Sequence, residues 1–423
     1  MRFTRRAAVA VVGVAALLAA SACGSSDGSS GGGSGSKKVE VFTWWADGGE
    51  KAGLDGLVAQ FGKDCAGQEF VNGAVAGGAG ANAKQVLASR LQTNDPPDTF
   101  QAHAGAELKD YIKAGQIEDI SADYATWGLK SAFPQGLIDN LTIDGKIYSV
   151  PANIHRANVV WSNKKVLTTA GITEDPKDMA TFLADLDKLK AKGIKTPLAV
   201  GKDWTQLMLL ESVLITDLGP DKFTGLWNGS TDWKGADVTK GINDFKTLLT
   251  YTNTDRDALD WTDAEKLVMD GKAAYQLMGD WEAADMDAKK FADYGYFTFP
   301  GNGDTYQWLA DSFVLPKGAK NVDGTKCWLK TVGSADGQKA FNTKKGSIPA
   351  RTDAVATDYP AYQQTAIADW AKDVAVPSCP HGSACSQGWQ GAVGSAQGKF
   401  SSDGDVAALQ KALVEAAKQF GKK

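Results

Sequence analysis

Residues 39–61, VEVFTWWADGGEKAGLDGLVAQF, join a strand signal directly to a helix signal. The run at 39–44 is rich in Val and aromatic residues, and apolar residues then recur at helical spacing from Leu54 to Phe61. The alternation continues, with strands predicted at 99–102 and around an Asp144-Gly145 turn, and helices at 83–91, 179–192, 238–249, 264–270 and 406–420. This pattern predicts an α/β fold with mostly parallel sheets.

Length and composition exclude several classes of protein. The chain has 423 residues, 43% hydrophobic and 22% charged, which supports two or three packed lobes and excludes disorder throughout. Its long apolar run, residues 7–20, is too short for a spanning helix, so a membrane-embedded channel is excluded. The net charge is -5, and the first 22 residues hold Arg2, Arg5, Arg6 and no acid, which leaves -8 for the remainder. An acidic chain of this kind is not expected to bind nucleic acid.

The N-terminal segment resembles a bacterial lipoprotein signal. Residues 1–22 contain a basic start, an Ala/Val run and small residues, and Cys23 follows at once. The resemblance implies a lipid on Cys23, and the Gly/Ser-rich stretch 23–37 reads as a flexible tether. The alternative is an ordinary cleaved signal with a structural Cys23. The Arg5-Arg6 pair leaves the export route open between the general and the twin-arginine pathways.

Four further cysteines predict two disulfides in an exported chain. Cys379 and Cys385 are six residues apart, so a local bridge would stiffen the loop that carries His381. Cys65 would then pair with Cys327 across a long stretch of chain. A zinc site is the competing interpretation, but these spacings match none of the usual ligand patterns.

Five segments together carry a resemblance to a known family. They are VEVFTWW at 39–45, DPPDTFQAH at 95–103, DGKIYSVP at 144–151, GKAAYQLMGDW at 271–281 and ADSFVLPKGA at 310–319. In this order they resemble extracellular solute-binding proteins of sugar ABC transporters, closest to the glucose/galactose-binding type. The similarity extends from about Lys38 to the C-terminus.

The resemblance implies a two-lobed fold of the type II periplasmic-binding-protein kind, with a hinge of crossing segments. Lobe one would comprise 38–150 plus 312–345, and lobe two 151–311 plus 346–423. This division places both cysteines of the long-range pair in lobe one, as a bridge requires.

The resemblance also implies a function. The protein would be a monomeric, lipid-anchored receptor at the extracellular face of the cell membrane, without enzymatic activity or cofactor. It would capture a small sugar, a glucose-like monosaccharide, and deliver it to the permease subunits of an ABC importer. An oligosaccharide ligand is the alternative within the family.

A sugar site needs flat aromatic faces and hydrogen-bonding groups that replace lost water contacts. Matching the family motif by motif assigns ligand contact to eleven residues: Trp44, Trp45, Glu50, Gln101, His103, Asn153, Trp261, Trp281, Asp311, Lys345 and His381.

The three histidines of the chain are expected near the cleft. Neutral imidazole both donates and accepts, which suits a hydroxyl, and His103 and His381 are favoured as ligand contacts. His155 is expected to support the hinge instead. Trp204 and Trp227 are the next candidates among the remaining tryptophans.

Several of these assignments have a structural alternative. Trp44 and Trp45 would point to opposite faces of a strand, so both would stack on a ligand only if the strand has ended by Trp45. The choice of Lys345 over Lys344 depends on the family register alone. Glu50 is equally suited to be an acid at a helix N-terminus.

Two other functions have some support in the sequence. An exported glycoside hydrolase would use paired carboxylates, for which Asp280 and Asp311 are candidates. A nucleotide-binding protein would use the glycine-rich stretch 78–83, but the acid expected at the end of the next strand is missing. The histidines lack metal-binding spacing, so no metal is expected.

Overall fold

The computed structural model describes residues 37–421. The predicted signal peptide, Cys23 and all of the tether except Lys37 lie outside the described residues. The strands are β1 Lys38–Phe42, β2 Glu69–Asn72, β3 Thr99–His103, β4 Thr142–Ile143, β5 Lys146–Ile147, β6 Ser149–Pro151, β7 His155–Arg156, β8 Val159–Asn163, β9 Leu198–Ala199, β10 Tyr275–Met278, β11 Tyr294–Thr298, β12 Thr305–Leu309, β13 Asp311–Val314 and β14 Val374–Pro377.

The helices separate these strands along most of the chain. They are α1 Gly48–Asp64, α2 Ala81–Gln92, α3 Leu108–Lys113, α4 Ser121–Trp127, α5 Gln135–Leu141, α6 Lys164–Ala170, α7 Met179–Ala191, α8 Trp204–Leu218, α9 Pro220–Asn228, α10 Ala236–Leu249, α11 Trp261–Met269, α12 Trp281–Ala288, α13 Val322–Gly333, α14 Ala335–Lys345, α15 Ala361–Lys372, α16 Gln387–Asp403 and α17 Val406–Phe420. Three short 3-10 turns lie at Gly78–Gly80, Leu129–Ser131 and Ala356–Asp358. In the part of the chain that the structure describes, no helix has both the length and the apolar character needed to span a membrane.

The predicted helices are present, with small differences at their ends. Among the helices that were predicted with a residue range, the largest difference is at α11, which begins at Trp261 and not at residue 264. Asp260 and Asp263 form a reciprocal capping box there, which starts the helix one turn before its regular apolar pattern. The α/β class predicted from the sequence is confirmed.

The first sheet has five strands in the order β2-β1-β3-β13-β6. β1 runs parallel to β2 and β3, whereas β13 inserts antiparallel between β3 and β6. Helices α1, α13 and α14 pack together beside this sheet.

A second sheet has the order β11-β8-β10-β9, and a third has the order β14-β12-β7. Both mix parallel and antiparallel pairs. The prediction of mostly parallel sheets was therefore wrong. Strand–helix alternation indicates parallel pairing only for strands joined by a helix, whereas β13 reaches its place from β12 through a single residue and enters in the opposite direction.

Three short segments cross side by side between the first sheet and the rest of the fold: 151–155, 309–311 and 346–348. Ala152 N donates to Asp311 O at 2.8 Å, and Ile154 and Ile348 exchange backbone hydrogen bonds at 2.8 and 3.0 Å. These crossings are the predicted hinge of a two-lobed, type II fold.

Both predicted disulfides are present. Cys65, which follows α1, bonds to Cys327 in α13, with 6.0 Å between their Cα atoms. Cys379 bonds to Cys385, and this pair closes a short loop between β14 and α16. The long-range bridge therefore ties together two helices that pack against each other.

Candidate ligand-binding site

A cavity of about 20 Å³ lies where the first sheet meets the helices of the second half of the chain. Twelve residues line it: Trp44, Glu50, Ala79, His103, His155, Trp204, Trp261, Trp281, Leu309, Asp311, Lys345 and His381. Eight of the eleven residues assigned from the sequence are in this set.

The first sheet positions one wall of the cavity. Trp44 follows the end of β1, and His103 is the last residue of β3. Because β13 runs antiparallel to β3, its first residue, Asp311, pairs directly with His103. The carboxyl ends of β1 and β3 and the amino end of β13 therefore meet at one place, and the carboxyl ends of parallel strands are where α/β folds bind ligands.

The opposite wall is built from helix N-termini. Trp204, Trp261 and Trp281 are each the first residue of a helix, α8, α11 and α12 respectively. The ring centroids of Trp204 and Trp281 are 6.1 Å apart. Three aromatic rings and the N–H ends of three helices thus face the same cavity.

The glycine-rich stretch 78–83 touches this aromatic wall. A Cβ on Gly80 would lie 2.6 Å from the Trp44 ring, and one on Gly78 would lie 3.0 Å from Trp261 and 3.1 Å from Trp204. Gly80 also has φ of 75°, a conformation that favours glycine. Close packing against tryptophan therefore accounts for these glycines without a nucleotide.

His155 connects two buried carboxylates at the base of the cavity. Its Nδ1 forms a short hydrogen bond with Asp280, and its Nε2 lies 3.2 Å from Asp311 Oδ2. Burial by itself would lower the pKa of His155, but Asp280, with further hydrogen bonding to Asp311, raises it above the usual value. Burial likewise opposes ionisation of Asp311, yet His155 and Lys345 hold the pKa of that carboxyl well below its usual range.

A second charged group surrounds His103. Its Nδ1 lies 2.8 Å from Glu107 Oε2, which also accepts from Lys84 Nζ at 2.8 Å. Burial would raise the pKa of Glu107, but Lys84 and His103 outweigh it and hold the pKa well below its usual range. The His103 ring lies 5.0 Å from the Trp44 ring, so the ionised Glu107 fixes an imidazole beside an aromatic face.

The buried Lys345 and the partly exposed Glu50 form an ion pair at the cavity edge. Lys345 Nζ lies 3.1 Å from Glu50 Oε1 and 5.5 Å from the centroid of the Trp281 ring. Lys345 is 1% exposed. Burial raises the pKa of Glu50, although Lys345 partly opposes that rise.

His381 presents an unpaired nitrogen at the cavity. It lies in the loop closed by Cys379 and Cys385, and its ring is 5.4 Å from each of the Trp204 and Trp281 rings. Its Nδ1 bonds to Ser378 Oγ at 3.0 Å, whereas Nε2 is buried and finds no hydrogen-bond partner among residues 37–421. Burial, with the nearby His103, moves the pKa of His381 well below its usual value, so the ring is neutral.

Three assigned residues do not line the cavity. Trp45 is fully buried between Phe313 and Phe341, at ring distances of 5.5 and 4.5 Å. The two tandem tryptophans therefore have different surroundings, one beside the cavity and one in the core.

Gln101 and Asn153 lie behind the cavity wall. Gln101 Nε2 donates to Asp311 Oδ1 at 2.8 Å, and Asn153 Nδ2 donates to Asp311 Oδ2 at 2.9 Å. Asn153 also accepts from the backbone N–H of Asp311 at 2.8 Å. Both side chains hold the Asp311 carboxylate in position.

Four lining residues were not assigned from the sequence: Ala79, His155, Trp204 and Leu309. Trp204 was named from the sequence as a next candidate, and like Trp261 and Trp281 it follows an Asp at a helix start. The same pair of residues at 232–233 and 369–370 does not start a helix, so the pair alone does not identify a cavity residue. His155 was expected to support the hinge, and it does lie on a crossing segment, but it also reaches the cavity.

The competing chemistries find little support here. Asp280 does not line the cavity, since His155 and the backbone N–H of Arg156 occupy its carboxylate. A pair of carboxylates across the cleft, as a glycosidase needs, is therefore not formed by Asp280 and Asp311. The described residues contain no group of three or more His, Cys, Asp or Glu side chains suited to a metal ion.

Comparisons with known proteins agree with this geometry. Residues 45–339 match the family of bacterial extracellular solute-binding proteins. An uncharacterized ABC transporter extracellular-binding protein of Pyrococcus horikoshii is 34% identical over 90% of this chain and 88% of its own length. A probable sugar-binding periplasmic protein of Mesorhizobium japonicum is 32% identical over 79% of this chain and 81% of its own length.

Solved structures show the same fold. The bacterial solute receptor AcbH superposes with a TM-score of 0.81 at 22% identity, covering 90% of this chain and 98% of that one. A chitin oligosaccharide binding protein gives 0.76, also at 22% identity, covering 90% and 100%. The relatives are solute receptors and not enzymes, as expected from the sequence. On this match and these relatives, the chain belongs to the family of bacterial extracellular solute-binding proteins.

Proposed function

We propose that this protein is the lipid-anchored receptor of a sugar ABC importer and that it captures a glucose-like monosaccharide outside the cell. The observation that carries the proposal is the unpaired Nε2 of His381, set between Trp204 and Trp281. A buried polar atom without a partner is unfavourable by about 1–3 kcal/mol, which a ligand hydroxyl would relieve. The flanking rings suit the apolar C–H faces of a sugar.

The remaining lining residues supply the other contacts that a polyol needs. Asp311 and Glu50 would accept hydroxyl hydrogen bonds, and Lys345 would donate them, with charge-assisted bonds about twice as strong as neutral ones. Trp44 and His103 would contact the ligand from the first sheet, and the three helix-start tryptophans from the other side. Trp45, Gln101 and Asn153 would act by supporting this wall.

The names of relatives favour a sugar but differ on its length. Relatives in Mesorhizobium japonicum and Rhizobium meliloti are named probable sugar-binding proteins, and one in Haloferax volcanii is named a xylose/arabinose-binding protein. AcbH is described as preferring β-D-galactopyranose, and other structural neighbours are named for oligosaccharides.

We favour a monosaccharide because the loop that carries His381 blocks one end of the cleft. The backbone N–H of Glu107 donates to Gly382 O at 2.9 Å, and that of Ala106 donates to Ser383 O at 3.3 Å. A longer sugar would have to break these contacts to extend in that direction.

The lobe boundaries predicted from the sequence remain part of this proposal. With lobes at 38–150 plus 312–345 and 151–311 plus 346–423, the cavity lies between the two. At about 20 Å³ it has room for a single water, so a sugar enters only when the walls separate. Contacts that form on both sides of the ligand would then drive closure, and the closed form would be presented to the permease.

The test is a thermal-shift screen on protein beginning at Lys37, with D-glucose, D-galactose, D-xylose, maltose and chitobiose. A ligand at about 100 times its Kd adds about 2.7 kcal/mol to the free energy of unfolding, which raises the melting temperature. We expect a monosaccharide to give the largest shift and Trp281→Ala to remove it. A shift with disaccharides alone would replace the monosaccharide by an oligosaccharide. No shift with any sugar, or conversion of a sugar into product, would overturn the proposal.

A further inference from the structure

Glu211 is a fully buried carboxylate that does not touch the cavity. It lies on α8, seven residues after Trp204, and is 0% exposed. Three donors converge on it: the backbone N–H of Cys379 at 2.8 Å, Gln307 Nε2 at 2.5 Å and Ser378 Oγ at 3.1 Å. A charged or acidic group in such a position is unfavourable unless its partners compensate for the lost water.

Ser378 links this carboxyl group to the cavity. Its single hydroxyl group lies between Glu211 Oε2 and His381 Nδ1, at 3.1 and 3.0 Å. One hydroxyl has one proton to donate, so it donates to one of these neighbours and accepts from the other. The direction of one hydrogen bond therefore determines the direction of the next.

We propose that Glu211 is a positioning residue that, through Ser378, determines which ring nitrogen of His381 carries the proton. When Glu211 is ionised, Ser378 donates to it and accepts Nδ1–H from His381, so the unpaired Nε2 faces the cavity as an acceptor. When Glu211 is protonated, it donates to Ser378, which donates to Nδ1. The Nε2 then carries the proton and faces the cavity as a donor.

The surroundings of Glu211 and His381 make the tautomer of His381 depend on pH in a defined direction. The groups facing Glu211 are neutral donors, and burial raises its pKa to about 8. His381 is neutral because burial, followed by His103, moves its pKa well below the usual value. The titratable and charged groups that face His381 or its loop are His103, Lys84, His155, Asp311 and Glu107. Raising the pH through about 8 thus changes Nε2 from donor to acceptor while the ring stays neutral.

The inference rests on the proposed function only in naming a sugar as the ligand, and its first test needs no sugar. A long-range ¹H–¹⁵N correlation spectrum distinguishes the two neutral histidine tautomers, and the chain has only three histidines. The spectrum of His381→Asn identifies the signal by its loss. A residue that only anchors the loop would not move this signature.

Glu211→Gln is the decisive variant, because a glutamine amide accepts from Cys379 N–H and donates to Ser378 Oγ, as the protonated acid does. Gln307, whose Oε1 finds no partner among the described residues, would turn its amide so that this oxygen accepts the second N–H of the new glutamine. At about pH 9.5, above the pKa of Glu211, we expect Nδ1–H in the wild type and Nε2–H in the variant. Lowering the wild type to about pH 6.5 should give the tautomer of the variant, which tests the proposal even if the variant folds poorly. Glu265→Gln, a change at another buried carboxyl, should leave the His381 signal unchanged. The same His381 tautomer in wild type and Glu211→Gln at about pH 9.5 would overturn the proposal.

Calorimetry with D-glucose and D-galactose then connects the tautomer to binding. We expect Glu211→Gln and wild type to have the same Kd at about pH 6.5 and to differ by about tenfold at about pH 9.5, because comparison at one pH cancels other titrations. The tautomer could differ between wild type and Glu211→Gln at about pH 9.5 while their Kd values stay equal. That result would support the role of Glu211 and remove His381 from the sugar contacts. Failure of the proposed function and failure of this inference are therefore separable.

Discussion

We expect loss of the long-range disulfide to lower stability more, and loss of the short disulfide to lower ligand affinity more. In the chain-entropy view a bridge stabilises by restricting the unfolded chain, and more so for a longer loop. Cys65 and Cys327 are 262 residues apart, so replacing both by Ala should cost about 5.6 kcal/mol of unfolding free energy. Cys379 and Cys385 are 6 residues apart, and the same change there should cost about 2 kcal/mol.

Affinity should respond in the reverse order. The short loop carries His381, and freeing one bound side chain costs about 0.5–1.5 kcal/mol, or about two- to twelvefold in Kd. The long-range bridge joins α1 to α13, and neither Cys65 nor Cys327 lines the cavity, so Kd should stay nearly constant without it.

Urea unfolding would measure the first effect and calorimetry, with the sugar identified by the screen, the second. Each double variant serves as the control for the other, since both remove one bridge and two sulfurs. Equal loss of affinity in the two variants would refute the reasoning. So would an unchanged Kd after loss of the short bridge, because His381 would then not depend on the loop for its position.

Two further predictions concern single side chains. Trp44→Ala should weaken sugar binding in calorimetry, whereas its neighbour Trp45→Ala should lower the unfolding free energy in urea by about 3–5 kcal/mol, because Trp45 packs in the core. The reverse pattern would show that the cavity contacts have been assigned to the wrong tryptophan. Glu282 is buried, and burial, then Glu265 and Asp285, raises its pKa well above the usual 4.5. Its neutral form contributes full stability below the unfolded pKa of about 4.5, and that contribution is lost as pH rises. Glu282→Gln should therefore raise the melting temperature more at about pH 8 than at about pH 5, and an equal change at both would contradict this.

The sequence carried strong information on elements and weak information on how strands pair. Local periodicity predicts the strand at 39–44 and the helices near 179–192 and 406–420, because that pattern depends only on the residues within each segment. The place of β13 between β3 and β6 depends on contacts between distant segments, and no local pattern encodes it.

The same limit applies to the cavity. The family resemblance named eight of the lining residues, and four of them, Trp44, His103, Trp281 and Asp311, belong to the quoted motifs and lie at or just after a strand end or at the start of a strand or helix. The motifs did not separate Trp44 from Trp45, since that depends on the turn after β1 and on Phe313 and Phe341 from elsewhere in the chain. Trp204 lay outside every quoted motif, so the sequence named it only as a next candidate together with Trp227, and its place at the start of α8 is what brings it to the cavity.

The position of His155 and Asp311 on the crossing segments has a mechanical consequence. During a rotation, atoms on the pivot move least, and atoms far from it sweep the longest arcs. The distance between these two side chains would therefore stay nearly the same at any angle between the lobes. They would be in place to make the first contacts with an arriving ligand. On the proposed lobe boundaries, the tryptophans at the starts of α8 and α11 would move with the second lobe, so they would contact the ligand later and only as the rotation proceeds.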